Sequence, residues 1–359
     1  MGADVAGFDP AVGHIVLHLQ QDFLTPPTPM NVIDVARPWL IWGYDFDGRG
    51  GTAISTGATE IDVAIPAGTF RWLHLNLADQ RTFAWLNRLS ELPEPARELL
   101  RSTDLHARAL IVDSAIAGVL PDFERDLDGT AFVQTGALRF VLTDNLMITA
   151  RLHPVCAADI ILRRIGLGAS PKDSPAALDL LISSLAQVGS DLVERLIVGV
   201  QQAEDALLNE DRSPNVRALV MVRRRAVQLH RHLYGIRGVL ARLEDEEDVP
   251  EKFEATLARL IQRVRALDGD VGVLQSNLRE LRDELDVQTA NRVNQNLYVI
   301  SVLSAVLLPA TFVTGFFGMN TGGMLWLEEG GGTIKATVII AAVGVAVFVW
   351  LRARGFFKI

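Results

Sequence analysis

Asp283, Ala290, Asn294, Leu297, Ser301, Ser304, Leu308 and Thr311 fall on one face of a helix, because from Ala290 onward their spacing alternates four and three. The stripe offers carboxamide and hydroxyl oxygens and no charge beyond Asp283. Such neutral oxygens can hand a hydrated divalent cation along without trapping it, whereas a Cys/His cage would hold it. Just past the stripe stands Gly318-Met319-Asn320. The Asn320 carboxamide is one more neutral oxygen that could meet a hydrated ion through its water shell. Met319 is a poor ligand for hard cations, and packing is its alternative role. Glu328 and Glu329, the only charges between Gly318 and Gly332, could raise the local cation concentration or simply solvate a loop.

Other candidates are less specific. His14 and His18 share a face if their segment is a strand, but they have no carboxylate or cysteine companion for a zinc site. His230 and His232 flank Arg231 on a helix, where positions i and i+2 face different ways, so a solvated surface is expected rather than a ligand pair. The acidic run Glu244 to Asp248 could concentrate or sense cations, although such runs commonly close helices. Phosphate-binding, nucleophile-elbow and H-E-x-x-H motifs are absent, and Gly48-Arg49-Gly50-Gly51 reads as a surface loop. No enzyme is expected.

The stripe needs a membrane to be useful, and the sequence supplies one. Leu297 to Phe317 runs 21 residues without a charge, long enough at about 1.5 Å per residue to cross a hydrocarbon layer of about 30 Å. Ala336 to Leu351 adds 16 uncharged residues between Lys335 and Arg352, a slightly short second span whose flanking stems can snorkel. Buried core helices are the alternative. Lipid gives hydroxyls and amides no partners, so polar residues on one face of a span mark helix contacts or an aqueous path. Arg292 precedes the first span and Arg352, Arg354 and Lys358 follow the second, while the connecting loop has no Lys or Arg. Both termini are therefore expected in the cytoplasm. Asp4 and Asp9 with no basic stretch near Met1 argue against a secretory signal.

Upstream, apolar runs broken by Pro and Gly suggest strands at 14–19, 39–44, 61–65 and 70–77, then a helix over 81–101. Further strands are expected at 107–120, 130–133, 137–143 and 146–152, the last two joined through a turn at Asp144-Asn145. A helix over 157–165 closes this region. Ser174-Pro175 is expected as N-cap and first helical residue of a long helix, and a second helix runs from Val216 to about Leu243. From Pro250 to Phe317 the only proline is Pro309, so one helix of about 100 Å is expected. Along it Leu260, Val264, Leu267, Val271, Leu274, Leu278, Leu281 and Leu285 alternate spacings of four and three, a heptad seam for another helix. The expected division is 1–168 an α/β (α+β) domain, 169–249 its helical portion, 250–296 a stalk helix, 297–317 and 333–351 transmembrane helices, 318–332 an exported loop and 352–359 a basic tail.

Composition fits this plan. A net charge of −9, from 34 Lys+Arg against 43 Asp+Glu, argues against a nucleic-acid binder and suits cations. A mean hydropathy of +0.23 and 49% hydrophobic residues exclude a disordered chain. One cysteine, Cys156, excludes a disulfide framework. Two spans cannot enclose a conduit, so if the stripe lines one, several copies must surround an axis.

A large α/β domain, a very long helix, two C-terminal spans with Gly318-Met319-Asn320 between them and a basic tail together resemble the CorA superfamily of divalent-metal transporters. Thr321-Gly322-Gly323-Met324-Leu325-Trp326 after the tripeptide, with Trp72 to Asp79 and Trp85-Leu86, resembles the ZntB zinc-transporter branch. The resemblance implies a funnel-shaped homopentamer in the inner membrane, in contact with lipid, without a resident cofactor. It implies an entrance at Gly318, Met319 and Asn320, with Thr311 and Leu308 deeper and Leu297, Asn294 and Asp283 near the cytoplasmic mouth. The implied cargo is Zn2+, taken up with help from a proton gradient. The alternatives are a Mg2+, Co2+ or Ni2+ channel of the same superfamily, or a membrane-tethered oligomeric sensor or scaffold.

Overall fold

In the computed structural model, the described residues are 39–56, 61, 64–125, 134–208, 216–246, 248–318 and 331–354. The expected strands at 14–19 and 130–133 lie outside them. Strands β1 (Leu40–Phe46), β2 (Gly51–Ala53), β3 (Phe70–Asn76), β4 (Arg108–Val112), β5 (Ala115–Phe123), β6 (Thr135–Leu142) and β7 (Leu146–Arg151) form one sheet in the order β2-β1-β3-β7-β6-β5-β4. Only β3 and β7 pair in parallel; every other neighbour is antiparallel. The chain returns from β3 to β7 through two helices and the antiparallel meander of β4, β5 and β6, a crossover of the length that a parallel pair requires.

Helices α1 (Gln80–Arg88) and α2 (Glu94–Arg101) follow β3. Leu86, Leu99 and Leu100 join Leu73, Leu75, Ala117, Val119, Val141 and Ile148 in one core. The alternate residues Trp72, His74, Leu138, Phe140 and Thr149 are equally buried, so both faces of the sheet are covered. That is why β3 is buried along its whole length.

Three expectations change here. The run 81–101 is two helices, because Leu89 to Pro93 interrupts it and Pro93 stands immediately before α2. The run 107–120 is a hairpin, because Asp113 (φ 48) and Ser114 (φ 65) both adopt the left-handed conformation that a two-residue turn needs. Ile61, Ala64 and Ile65 lie outside any strand, whereas Gly51 of the glycine-rich loop begins β2.

Helices α3 (Cys156–Gly166), α4 (Ser174–Leu208) and α5 (Val216–Asp245) come next, and after a short 3-10 turn α6 runs unbroken from Glu254 to Gly318. The cap of α4 is Asp173, one residue earlier than expected, since its carboxylate accepts the Ala176 amide at 2.9 Å. α4 is apolar and long enough to cross a membrane, but its apolar window is two-thirds buried, which makes it a core helix. The heptad seam is buried from Leu260 to Leu281, while Leu285 is half-buried. Gly189 of α4 lets the seam approach: a Cβ there would meet Leu267 Cδ2 at 2.8 Å. Arg259 reaches Asp179 on α4 at 2.9 Å, and Gln275 donates to the Ala226 carbonyl of α5.

The chain forms two compact units, Met1–Leu278 and Arg279–Ile359. The second contains the C-terminal stretch of α6 and helix α7 (Gly332–Ala353), whose 22 residues span about 33 Å at the usual rise.

Candidate ion path

The stripe lies on α6, as its spacing requires. Asp283, Ala290, Asn294, Leu297, Ser301, Ser304, Leu308 and Thr311 are all exposed in the single chain. Leu297 and Leu308 are 57% and 69% exposed, a large apolar area for isolated side chains. The most apolar window of this helix is 0% buried, the opposite of α4. A helix that hydrophobic and that uncovered needs lipid or other protein around it.

The hydroxyls have a defined polarity. Ser301 donates to the Leu297 carbonyl at 2.8 Å, Thr311 to the Leu307 carbonyl at 3.0 Å and Thr314 to the Thr311 carbonyl at 2.9 Å. Each hydroxyl hydrogen is thus spent on the helix's own backbone, and the remaining lone pairs accept. Acceptors suit a cation or the outward hydrogens of its hydration water. Pro309 sits inside this stretch of α6 and gives no N–H to the carbonyl four residues earlier, another oxygen without its usual helical partner.

Gly318 is the last residue of α6 and is exposed. Met319, Asn320, Glu328 and Glu329 lie outside the described residues, as do His14 and His18. Of the acidic run, Glu246 faces Arg242 one turn back on α5 at 3.5 Å, which makes it half of a helix-end ion pair. Among the described residues, no three His, Cys, Asp or Glu side chains gather into a metal-holding group.

The two α5 histidines separate as their spacing demands, but only one remains at the surface. His230 is half-exposed and meets Asp268 of α6, whereas His232 is buried and stacks on Phe123. The expectation of a solvated pair fails for His232 because that side of α5 packs against the end of β5.

Two polar clusters are hidden in the sequence because their partners are far apart along the chain. In the first, Trp72 Nε1 donates to Thr149 Oγ1 at 3.0 Å, and His74 Nδ1 lies 2.9 Å from the same oxygen. Arg151 Nε donates to His74 Nε2 at 3.2 Å, so Nδ1 carries the imidazole hydrogen. Burial, aided by the Arg151 charge, holds this ring well below the usual histidine range. In the second, the Asp122 carboxylate accepts the Phe123 and Ala157 amides at 2.7 and 2.8 Å, and burial pushes it up to about 7. Cys156 beside it is pushed up to about 12 by the same burial, which leaves it an inert thiol.

The family described as "CorA-like Mg2+ transporter protein" matches residues 67–353. The zinc transport protein ZntB of Yersinia enterocolitica is 26% identical over 319 residues, covering 87% of this chain and 94% of that protein. The structure of the full-length CmaX protein superposes with a TM-score of 0.71 at 23% identity, covering 90% of this chain and 99% of that one. The CorA magnesium transporter of Methanocaldococcus jannaschii gives 0.70 at 13% identity, covering 86% and 97%.

Proposed function

The chain belongs to the CorA-like Mg2+ transporter family, and from that premise we propose that it carries Zn2+ across the inner membrane. The observation that carries this reading is the uncovered stripe of acceptor oxygens on α6, from Asn294 to Thr311, within an apolar helix window that is unburied among the described residues. The ZntB relatives, at 26–28% identity, favour zinc as cargo. The likeness to CmaX and CorA supports the architecture.

In this reading several copies, a pentamer by resemblance, surround an axis with 297–317 innermost and 333–351 toward lipid. The soluble region, residues 1–249, and the stalk, residues 250–296, lie in the cytoplasm together with the tail 352–359. Gly318, Met319 and Asn320 form the outer entrance, with Glu328 and Glu329 drawing cations toward it. The ion passes largely hydrated, its water donating to Thr311, Ser304, Ser301 and Asn294 before it leaves beside Asp283. Weak, repeated acceptor sites allow release as well as capture. Leu308 and Leu297 form apolar rings that dewet when closed. The membrane potential draws two charges inward with roughly 4.6 kcal/mol per 100 mV, which favours uptake. The apolar spans carry no Asp, Glu, His, Lys or Arg that could bind a driving proton, so proton coupling would act through water or through groups outside them.

The test is flux of Zn2+, Mg2+, Co2+ and Ni2+ into proteoliposomes with and without a pH gradient. Zinc flux that rises with the gradient and falls in Asn320→Ala supports the reading. Gradient-independent magnesium flux moves the chain to the magnesium-carrying members, which the retained Gly-Met-Asn also fits. Absence of any flux favours an oligomeric sensor.

A further inference from the structure

The charges of the α4–α5 hairpin are sorted by helix. From Val216 to Leu243, α5 carries seven arginines and no Asp or Glu, whereas α4 carries Asp179, Asp191, Glu194, Glu204 and Asp205 against Arg195 alone. The side the two helices share is apolar. A Cβ on Gly189 of α4 would meet Leu229 and Leu233 of α5, and one on Gly199 would meet Val222.

The charges turn away from that side. On α5, Arg217, Val220, Arg224, Val227, Arg231 and Tyr234 step by three and four residues along the side away from Val222 and Leu229, and all but the half-buried Val227 are exposed. On α4, Asp191, Glu194, Val198, Gln201 and Asp205 step the same way along the side away from Gly189, and all but the half-buried Asp191 are exposed. Each stripe holds apolar surface between its charges: Val220 is 59% exposed, Tyr234 69% and Val198 46%. Asp191 accepts Gln187 Nε2 at 2.6 Å, which leaves lone pairs for a guanidinium.

A basic helix face with apolar residues along it fits an acidic helix face of the same period, and this chain carries one. The two faces point in different directions, so one copy cannot bring its own together. We propose that the arginine face of α5 docks on the acidic face of α4 of a second copy.

The register agrees. The contacts of Gly189 and Gly199 fix which residues of the antiparallel pair stand level: Asp191 with Arg231 and Asp205 with Arg217, each to within about one turn. Rotation about an axis running along the hairpin keeps every residue at its level. Arg231 then meets Asp191 of the second copy, Arg217 meets Asp205, and Val220 and Val198 lie between. Single exposed ion pairs contribute little, so the apolar residues hold the contact while the charges choose the partner and its direction. The contact is heterologous: each copy gives one face and keeps the other for a further copy, which closes into a ring when the rotation allows. In this it deepens, and rests on, the ring of copies proposed above; it does not depend on which ion moves.

The test is cross-linking of the full chain in detergent, with Asp191→Cys and Arg231→Cys together in a Cys156→Ser background and a short bis-maleimide as reagent. A ladder of covalent multimers is expected on denaturing gels, because each copy links to the next through a different residue, and neither single variant should give one. Adding Glu194→Lys, which sets a positive charge against the arginine face, should cut the linked fraction about tenfold. Val198→Cys with Arg224→Cys, one to two turns along the same faces, repeats the test if the first pair disturbs folding. Dimers linked from a single variant would mean a symmetric contact and overturn the proposal. A linked fraction indifferent to Glu194→Lys overturns the role of charge, and absence of linked multimers overturns the contact itself. The native mass of the unmodified chain then separates the two readings. An oligomer without the link means that copies meet elsewhere and leaves the ring standing, whereas a monomer removes both.

Discussion

The Asp122 carboxylate, at the end of β5, accepts the backbone amide of Ala157 at 2.8 Å and so closes the N-terminus of α3 from a strand 35 residues away. A helix N-terminus stabilises negative charge, yet complete burial acts against it more strongly and raises this group to about 7. The folded-state value lies above the ordinary aspartate value of 3.8. Its contribution to stability is thus fully present below about pH 4 and is lost as pH rises through about 7.

The full chain should therefore lose on the order of 4 kcal/mol of stability from this group between about pH 4 and pH 8. Guanidinium unfolding followed by the fluorescence of the buried Trp39, Trp42, Trp72 and Trp85 would report it. Asp122→Asn should flatten that segment of the profile, and an unchanged slope would show that Asp122 ionises freely.

Thr149 is the shared acceptor of Trp72 and His74. Thr149→Val keeps the shape and strands two buried donors, so a loss of about 2–4 kcal/mol is expected in the same unfolding assay. His74 itself stays neutral, because its folded value is depressed well below 6.5. The stability it contributes is present above 6.5 and lost only as pH falls through that depressed value. An NMR titration should find Nδ1 protonated and Nε2 bare at about pH 6; a charged ring there would contradict the network.

Glycines separate by what surrounds them. Gly118→Ala would bring a Cβ within 2.5 Å of Phe140 Cε1 and 3.0 Å of the Arg108 carbonyl, a clash with a packed ring and with backbone. It should cost about 1–3 kcal/mol. Gly269→Ala on α6 meets nothing within 4 Å and should stabilise the helix by roughly 1 kcal/mol. Equal thermal shifts of the two variants would show that the packing around Gly118 relaxes freely.

Leu297 and Leu308 stand exposed on the stripe as single large apolar side chains among small polar ones. Leu297→Ser should raise the resting leak of Zn2+ into proteoliposomes severalfold if this ring is a dewetting barrier. Flux equal to that of the unmodified chain would place the barrier elsewhere. Thr311→Val removes an acceptor that the hydroxyl presents after donating to Leu307, and it should lower Zn2+ flux without altering assembly.

Local patterns are legible where one element settles them. The helices expected at 157–165, from Ser174, from Val216 to about Leu243 and from Pro250 onward, the heptad seam from Leu260 and the strands around Trp42, Trp72, Phe140 and Ile148 all appear in the structure, the last helix after a 3-10 turn at Glu251–Phe253. Each depends on periodicity within its own segment. Element ends are less legible. The break at Pro93, the two-residue turn at Asp113-Ser114 and the cap at Asp173 depend on dihedral angles and side-chain bonds that hydrophobic pattern does not encode.

Length, charge and period by themselves determined that this chain has an uncharged segment of membrane length, a polar stripe along it and a long helix leading to it. Those are properties of consecutive residues, and no fold is needed to state them. Only the tertiary structure decided that α4, also apolar and long enough to cross a membrane, is a core helix, while among the described residues the apolar window of α6 is left unburied. Burial depends on what packs against a helix, not on its composition. The tertiary structure likewise decided that His232 meets a carbonyl 110 residues away and that His74 meets Thr149 across 75. Contacts between distant residues follow from strand register and helix docking, which no single segment carries.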